Sequence, residues 1–283
     1  MRWEGRRQSE NIEDRRGMRV SRGGLVGGGI GTLAIALLVY FLGGDPTAVL
    51  QQAGNAPVET TSEPYAESAK EAEWRQFTAV ALADTEDVWN AVFKEMGGEY
   101  REPTLVLFTG AVESGCGFAE AAMGPFYCPP DEKLYIDLAF FDQLQEQLGA
   151  AGDFPRAYVV AHEVGHHVQN LLGIANQVSG LQQRDPDAAN QLSVRLELQA
   201  DCFAGIYANR IGKYGDVLEG GDAREAIDAA AAIGDDTLQR SQGRAVVPDS
   251  FTHGSSEQRV RWFSTGFRSG SVDACDTFKA ADI

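Results

Sequence analysis

The sequence predicts an α+β fold, in which one mainly helical domain with a small sheet follows a single transmembrane helix. Three observations lead to this prediction. Residues 23–42 form an apolar run without a charge, and helical periodicity dominates after residue 71. Only two short segments, 104–108 and 133–138, have the composition of β-strands. The predicted organisation is therefore a segment at 1–22, a transmembrane helix at 23–42, a linker at 43–70 and a domain at 71–283.

The apolar run at 23–42 reads GGLVGGGIGTLAIALLVYFL. Twenty helical residues span about 30 Å, which is the thickness of the hydrocarbon core of a bilayer. Residues 1–22 contain seven arginines and four acidic side chains, so the positive-inside rule places them in the cytoplasm and the domain outside it. A cleaved signal peptide is the alternative, although the charged segment is longer than usual and no clear A-x-A site follows directly.

The strands and helices of the domain follow from local patterns. TLVLF at 104–108 is rich in β-formers, and KLYIDL at 133–138 alternates like a half-buried strand. Apolar side chains recur at helical spacing over 71–93, and Asp153 followed by Pro155 predicts the start of a helix that Gly173 ends. Further helices are predicted at 140–148, 187–211, 223–241 and 255–267.

The charge of the chain argues against one class of partner. The formal net charge is −17, and because residues 1–22 are basic the remainder is more acidic still. Such a surface repels phosphate backbones, so no nucleic-acid partner is expected.

Four cysteines, Cys116, Cys128, Cys202 and Cys275, fit an extracytoplasmic domain. An even number of cysteines in an exported domain favours disulfides, and none of them forms the C-x-x-C pair typical of zinc knuckles. Four cysteines allow three pairings. The preferred pairing joins Cys116 to Cys128 across a short loop, and it joins Cys202 to Cys275 across a long one.

Three of the four histidines lie in the segment AHEVGHH at 161–167. On a helix, His162 and His166 are one turn apart and present two imidazoles that one Zn²⁺ can bridge. Glu163 is rotated by about 100° from His162, beside the ion but outside its ligand set, where a carboxylate can act as the general base. The alternative is a chance HExxH on a surface helix.

A third ligand has to come from elsewhere, because Leu172 stands where the extended motif needs a histidine. Glu197 and Asp201 lie four residues apart on a predicted helix that is otherwise apolar, so both acids need partners. Glu197 is the candidate third ligand, and Asp201 is the candidate acceptor from the second ring nitrogen of a zinc-bound histidine. The alternative is that both are solvated helix acids.

His253 is the only histidine outside the motif. It is a candidate for stabilising the oxyanion that develops during hydrolysis, and the alternative is a loop histidine that caps or packs against the last helix. Rival oxyanion donors are Arg259, Arg261, Tyr207 and Tyr135. His167 points about 100° away from His166 and is expected either to support the ligands from behind or to be structural.

The sequence resembles the bacterial putative neutral zinc metallopeptidases, which are membrane-anchored HExxH proteins. The resemblance covers nearly the whole chain and rests on the opening MRW with NIEDRRG at 11–17, GPFYC at 124–128, HEVGHHVQ at 162–169, ELQADCFAG at 197–205 and HGSSEQR at 253–259. It implies a zincin-like fold, zinc ligands at His162, His166 and Glu197, and a catalytic glutamate at Glu163.

These residues predict a zinc-dependent endopeptidase that holds one Zn²⁺ per chain and acts on a protein or peptide substrate. They also predict a single-pass membrane protein of a bacterium, with its domain in the periplasm or at the cell exterior. The alternative from another class is a non-catalytic, membrane-tethered binding or assembly factor that keeps a zincin fold. Hydrolysis of a non-peptide amide would use the same residues.

Overall fold

A computed structural model of the chain describes residues 1–22, 58–62, 65–146, 152–241, 243 and 245–283. The predicted transmembrane helix at 23–42 lies outside the described residues, as does most of the predicted linker. Within the part that is described, no helix combines the length and the apolar composition that a membrane crossing requires. The described residues have the predicted α+β fold, mainly helical with a small sheet.

The central sheet has four strands in the order β1–β4–β8–β7. The strands are β1 (Ile12–Asp14), β4 (Thr104–Phe108), β7 (Phe126–Cys128) and β8 (Lys133–Asp137). β4 pairs in parallel with β1 and β8, whereas β7 is antiparallel to β8 and forms one edge. Both strands that the sequence predicts are confirmed, and they form the buried centre of this sheet.

Two antiparallel pairs accompany the sheet, and the sequence predicted neither. β2 (Met18–Arg22) pairs with β3 (Val58–Ser62), so part of the predicted linker is a strand. β5 (Ala111–Ser114) and β6 (Gly117–Glu120) form a hairpin in a region that we expected to be a loop. These strands are short and rich in polar residues, so their composition is a weak signal for β-structure.

The helices pack against one face of the sheet and against each other. They are α1 (Ala69–Glu95), α2 (Phe140–Glu146), α3 (Phe154–Leu171), α4 (Ile174–Arg184), α5 (Ala189–Ile211), α6 (Asp222–Ala232), α7 (Asp235–Ser241) and α8 (Ser256–Ser269). The prediction of a single helix at 223–241 is wrong, because this segment forms two helices, α6 and α7, with Gly234 between them. A Cβ on Gly234 would lie 2.3 Å from the backbone nitrogen of Ser256, so the backbone between α6 and α7 lies directly against the start of α8.

The helix α5 is the centre of the helical layer and packs between α3 and α8. A Cβ on Gly266 would lie 1.8 Å from the carbonyl oxygen of Cys202, so the backbones of α8 and α5 are in direct contact. A Cβ on Gly165 would lie 3.0 Å from the carbonyl oxygen of Ala200, so α3 also approaches α5 closely. Glycines at these crossings therefore bring the polar residues of three helices within hydrogen-bonding distance.

Two disulfides with the preferred pairing are present. Cys116–Cys128 joins the β5–β6 hairpin to the edge strand β7. Cys202–Cys275 joins α5 to a short 3₁₀ turn at Val272–Cys275, and both of its cysteines are fully buried. The long disulfide thus ties the C-terminal segment to the centre of the helical layer.

Residues 1–22 are part of the folded domain, which differs from the predicted boundaries. β1 is a strand of the central sheet, and Arg6 and Arg7 form ion pairs with Asp84 and Glu86 of α1. Ser9 also hydrogen-bonds Glu86. The predicted separation of a cytoplasmic segment 1–22 from an extracytoplasmic domain conflicts with this packing, because a membrane cannot divide one β-sheet. Charge and apolar runs do not report such long-range strand pairing.

Replacing Arg6 tests this packing. Arg6 Nη2 lies 2.5 Å from Oδ1 of Asp84, whose side chain is 3% exposed. Burial, opposed by Arg6, raises the pKa of Asp84 to about 6. The ion pair exists only where Asp84 is ionised, so Arg6→Met should lower the free energy of unfolding by about 1–3 kcal/mol above that pH and by less below it. Urea denaturation at about pH 5 and about pH 8 measures the difference.

The matched control is Arg2→Met, because Arg2 pairs with Asp216, whose side chain is 95% exposed. We expect little change in stability from that variant at either pH. An equally small effect of Arg6→Met at both pH values would contradict the packing of residues 1–22 on α1.

Candidate metal centre

The helix α3 carries the motif into the interior of the domain. His162 and Glu163 are each 7% exposed, and the ring centroids of His162 and His166 are 4.8 Å apart. One face of α3 therefore presents both imidazoles, as the spacing of four residues requires.

The helix α5 places Glu197 against both histidines. One carboxylate oxygen of Glu197 lies 3.2 Å from Nε2 of His162, and the other lies 3.4 Å from Nε2 of His166. Two ligands that each lie about 2.1 Å from a tetrahedral zinc ion are about 3.4 Å apart. The donor atoms of the three residues all lie within 4.8 Å of one another. This donor set fits a zinc ion with three protein ligands.

The remaining ring nitrogens determine which nitrogen faces the cluster. Nδ1 of His162 lies 2.9 Å from Oδ1 of Asp201, and Nδ1 of His166 lies 2.9 Å from Oε1 of Gln169. Both partners are acceptors, so each Nδ1 carries a proton, and Nε2 is the nitrogen whose lone pair would be available to a metal. Asp201 thus lies where the sequence predicted it, against a histidine of the motif.

Asp201 is held by two further side chains. Arg259 of α8 donates to both of its carboxylate oxygens at 2.9 and 3.0 Å, and the hydroxyl of Tyr158 donates to Oδ1 at 2.5 Å. The Asp201 side chain is fully buried and that of Arg259 is 3% exposed. The guanidinium of Arg259 is therefore held by Asp201, which argues against Arg259 as the rival oxyanion donor.

Protonation of the cluster follows from burial and from these contacts. Burial lowers the pKa of His162, but hydrogen bonds to Asp201 and Glu197 outweigh burial and raise it to about 10. Burial alone would raise the pKa of Glu197. The charge of His166 and the hydrogen bonds to both histidines outweigh burial, and the pKa lies well below its usual value. The pKa values of both histidines are raised, so these contacts favour the protonated imidazoles when no metal is bound. A metal has to displace these protons, so binding weakens as the pH falls.

Glu163 lies beside the ligands, and all four side chains line one cleft of the domain. Burial raises its pKa, and the two positively charged histidines oppose that effect. Among the described residues, no group hydrogen-bonds its carboxylate. Because the carboxylate lines the cleft next to the metal ligands, it is available to accept a proton from water.

His253 lines the cleft from the loop before α8. Its Nδ1 lies 3.2 Å from Oδ1 of Asp235, and the other oxygen of Asp235 accepts from the backbone N–H of Thr252, His253 and Gly254. The hydrogen bond to Asp235 raises the pKa of His253. Asp235 therefore fixes both the loop and the ring, and it favours an imidazole that can donate from Nε2.

The other candidate oxyanion donors lie elsewhere. Tyr207 and Tyr135 are buried in the core, and the hydroxyl of Tyr135 donates to Asp131. Arg261 borders a different pocket. The expectation that His167 is structural agrees with its contacts: its Nε2 lies 2.6 Å from the carbonyl oxygen of Arg101, and its Nδ1 lies near the hydroxyl of Tyr127.

Sequence reasoning missed three residues around the cluster. Tyr158 stands four residues before His162, and Gln169 stands three residues after His166, so both share its helix face. That spacing was a usable signal. Gln199 contacts Gln169 from another helix, and no local pattern predicts that contact.

The cluster lies in a cleft of about 740 Å³. One wall is apolar and comes from the segment around the edge strand β7 and from α2; it consists of Ala122, Met123, Pro125, Phe126 and Phe140. Leu238 and His253 also line the cleft. The cleft therefore joins an apolar surface to the polar cluster.

Comparison with known sequences agrees with this site. Residues 1–278 match the family described as putative neutral zinc metallopeptidase. The chain belongs to this family. Because the match includes residues 1–22, the family relationship extends over the segment that packs as β1 and β2.

Two relatives of the chain are named as uncharacterized proteins. The protein YpfJ of Escherichia coli strain K12 is 49% identical, and the alignment covers 98% of this chain and 99% of that protein. The protein Rv2575 of Mycobacterium tuberculosis is 39% identical over 86% of this chain and 85% of its own length. No solved structure matches the chain. The family relationship thus supports zinc and a hydrolase, and the substrate has to be argued from the site.

Proposed function

We propose that this chain is a zinc-dependent endopeptidase with a zincin-like fold. The observation that carries the proposal is the convergence of His162, His166 and Glu197 on one point, with both histidine Nδ1 atoms hydrogen-bonded elsewhere. Three protein ligands leave a fourth position open, as catalytic zinc sites do and structural sites do not.

The residues of the chain divide the chemistry among them. His162, His166 and Glu197 would hold a zinc ion, which would supply a Lewis acid for the substrate carbonyl and for the attacking water. Glu163 accepts the proton of the attacking water and delivers it to the leaving nitrogen of the peptide bond. His253, held by Asp235, donates a hydrogen bond to the oxyanion that develops on the substrate.

A peptide substrate is favoured over a small amide by the edge strand β7. Beyond β8 it has no other partner in the described sheet, and its residues Phe126 and Tyr127 line the cleft. An unpaired strand edge offers backbone N–H and C=O groups to an extended chain, which binds as an additional strand. A polypeptide can therefore lie along β7 and cross the cluster.

The tethered binding factor is the proposal from another class. Glu163 argues against it, because its carboxylate lines the cleft beside the metal ligands and has no hydrogen-bond partner among the described residues. A site that only binds a partner does not need such a carboxylate, whereas hydrolysis needs one to accept a proton from water.

The proposal is tested by metal content and proteolysis together. The purified chain should hold about one zinc per chain and should cleave an unfolded protein such as casein. The double variant His162→Ala/His166→Ala should lose both the metal and the cleavage, because one carboxylate alone is a weak zinc site. Full zinc in the double variant would contradict the site, and a zinc-loaded wild type that cleaves nothing would favour the binding factor.

The role of His253 is tested by a pair of variants. His253→Gln should lower kcat for peptide cleavage by about 10²–10³-fold with zinc unchanged, as removal of an oxyanion donor does. Asp235→Asn keeps an acceptor for the loop but removes the charge that raises the pKa of His253. Activity that needs the protonated ring should then decline at a lower pH than in wild type. An unchanged kcat in His253→Gln would show that His253 is structural.

We also propose that the domain lies outside the cytoplasm, as its two disulfides support. Because β1 is part of the central sheet, residues 1–22 share that compartment in this proposal. Glu10 is exposed, so a Glu10→Cys variant should react with a membrane-impermeant thiol reagent added to intact cells. Reaction only after lysis would place residues 1–22 in the cytoplasm.

A further inference from the structure

We infer that Gln169 and Gln199 form a hydrogen-bonded relay that positions His166, and that the Cys202–Cys275 disulfide anchors its far end. Gln169 accepts from Nδ1 of His166 at 2.9 Å and donates to Oε1 of Gln199 at 3.1 Å. Gln199 in turn donates to the carbonyl oxygen of Cys275 at 3.0 Å. The inference rests on the proposed metal site and goes beyond its ligands.

Burial makes each link of the relay costly to break. Gln169 and Cys275 are fully buried, and Gln199 is 4% exposed. A buried amide that loses a partner cannot turn to water for a replacement, so its orientation is fixed by the partners it has.

The direction of the relay is set by backbone carbonyls, which can only accept. The carbonyl oxygen of Cys275 requires the NH₂ group of Gln199, so Oε1 of Gln199 faces Gln169. The carbonyl oxygen of Leu196 accepts a hydrogen bond from Nε2 of Gln169 at 2.7 Å. Because the NH₂ group of Gln169 donates to both Leu196 and Gln199, its Oε1 faces His166. An oxygen at that position requires the proton of His166 to be on Nδ1. The Nε2 lone pair is thereby directed at the metal position.

The disulfide holds the acceptor of the last link. Cys275 belongs to a short 3₁₀ turn, while Cys202 lies on α5, the helix that also carries Glu197. The bond therefore fixes the Cys275 carbonyl relative to the same helix that supplies a ligand. His162 is oriented by a charged carboxylate, whereas His166 depends on this neutral relay, so the two histidines respond to different perturbations.

The first test measures the dissociation constant of zinc by competition with a chelator, using the purified full chain. Gln169→Met keeps the size of the side chain and removes the acceptor, so affinity should fall by about 10- to 100-fold. Gln199→Met should cause a smaller loss, because Leu196 still orients Gln169. The matched control is Gln182→Met, because Gln182 hydrogen-bonds Ala189 and Ser193 away from the cluster and its loss should leave affinity unchanged.

The second test separates a relay from general loosening of the fold. Without the disulfide, in a Cys202→Ala/Cys275→Ala background, Gln199→Met should add less than about a twofold loss, because its acceptor is no longer held. Cys116→Ala/Cys128→Ala is the control background, in which Gln199→Met should keep its full effect. Additive effects in both backgrounds, or unchanged affinity in Gln169→Met, would overturn the inference. A zinc-loaded wild type without peptidase activity would overturn only the proposed function.

Discussion

Glu163→Gln should retain zinc and lose nearly all peptidase activity. The amide keeps the size and polarity of the side chain but cannot accept the proton of the attacking water. Turnover should therefore fall by about 10²–10⁴-fold, the range for loss of a positioned acid–base group. Zinc should stay bound, because His162, His166 and Glu197 are unchanged. Metal analysis and casein cleavage on the same preparation measure both quantities.

Two further variants sharpen this result. Glu197→Gln should lower zinc affinity as well as activity, because a neutral amide is a poorer ligand than a carboxylate. Glu86→Gln is the control for a buried glutamate away from the cleft, since Glu86 lies on α1 and pairs with Arg7 of the N-terminal segment. It should leave turnover and zinc unchanged. If Glu163→Gln and wild type both held a full equivalent of zinc and had the same turnover, the peptidase mechanism would be contradicted and a tethered binding protein would be favoured.

Arg259→Met should cause the largest loss of stability. The guanidinium is the cationic partner of the fully buried Asp201, and removing one member of a buried ion pair leaves an unpaired charge. Such losses cost about 3–5 kcal/mol in free energy of unfolding. Zinc affinity should fall too, because Asp201 then no longer holds His162 in a fixed orientation. Urea denaturation and chelator competition measure the two effects.

A second substitution should repair part of this damage. Asp201→Asn removes the unpaired charge while its oxygen can still accept from Nδ1 of His162, so the double variant should be more stable than Arg259→Met alone. Arg101→Met is the matched control, because Arg101 is 66% exposed and pairs with Glu132 at the surface. That change should cost less than about 1 kcal/mol. Equal costs for both arginines would show that the buried pair contributes no more than a surface pair.

The contacts around Asp201 show where sequence reasoning ends. Its place four residues after Glu197 follows from helix periodicity, and so does its need for a partner on an apolar helix. Its partner Arg259 is 58 residues away, and the direct contact of the α5 and α8 backbones brings the two together. Interpreted as a free cation, Arg259 looked like an oxyanion donor. The structure shows it as part of the support for His162.

The sequence by itself determined the elements whose cause is local. Short segments contain the spacing of His162 and His166 and the two central strands, so composition and periodicity were sufficient to predict them. The four cysteines could be counted directly. Tertiary structure decided the rest, because it depends on contacts between distant segments: the convergence of Glu197 on the histidines, the relay through Gln199 and the entry of β1 into the sheet. A basic segment beside an apolar run predicted a boundary at residue 22. Strand pairing with β4 placed that segment inside the domain, since backbone hydrogen bonding is independent of side-chain charge.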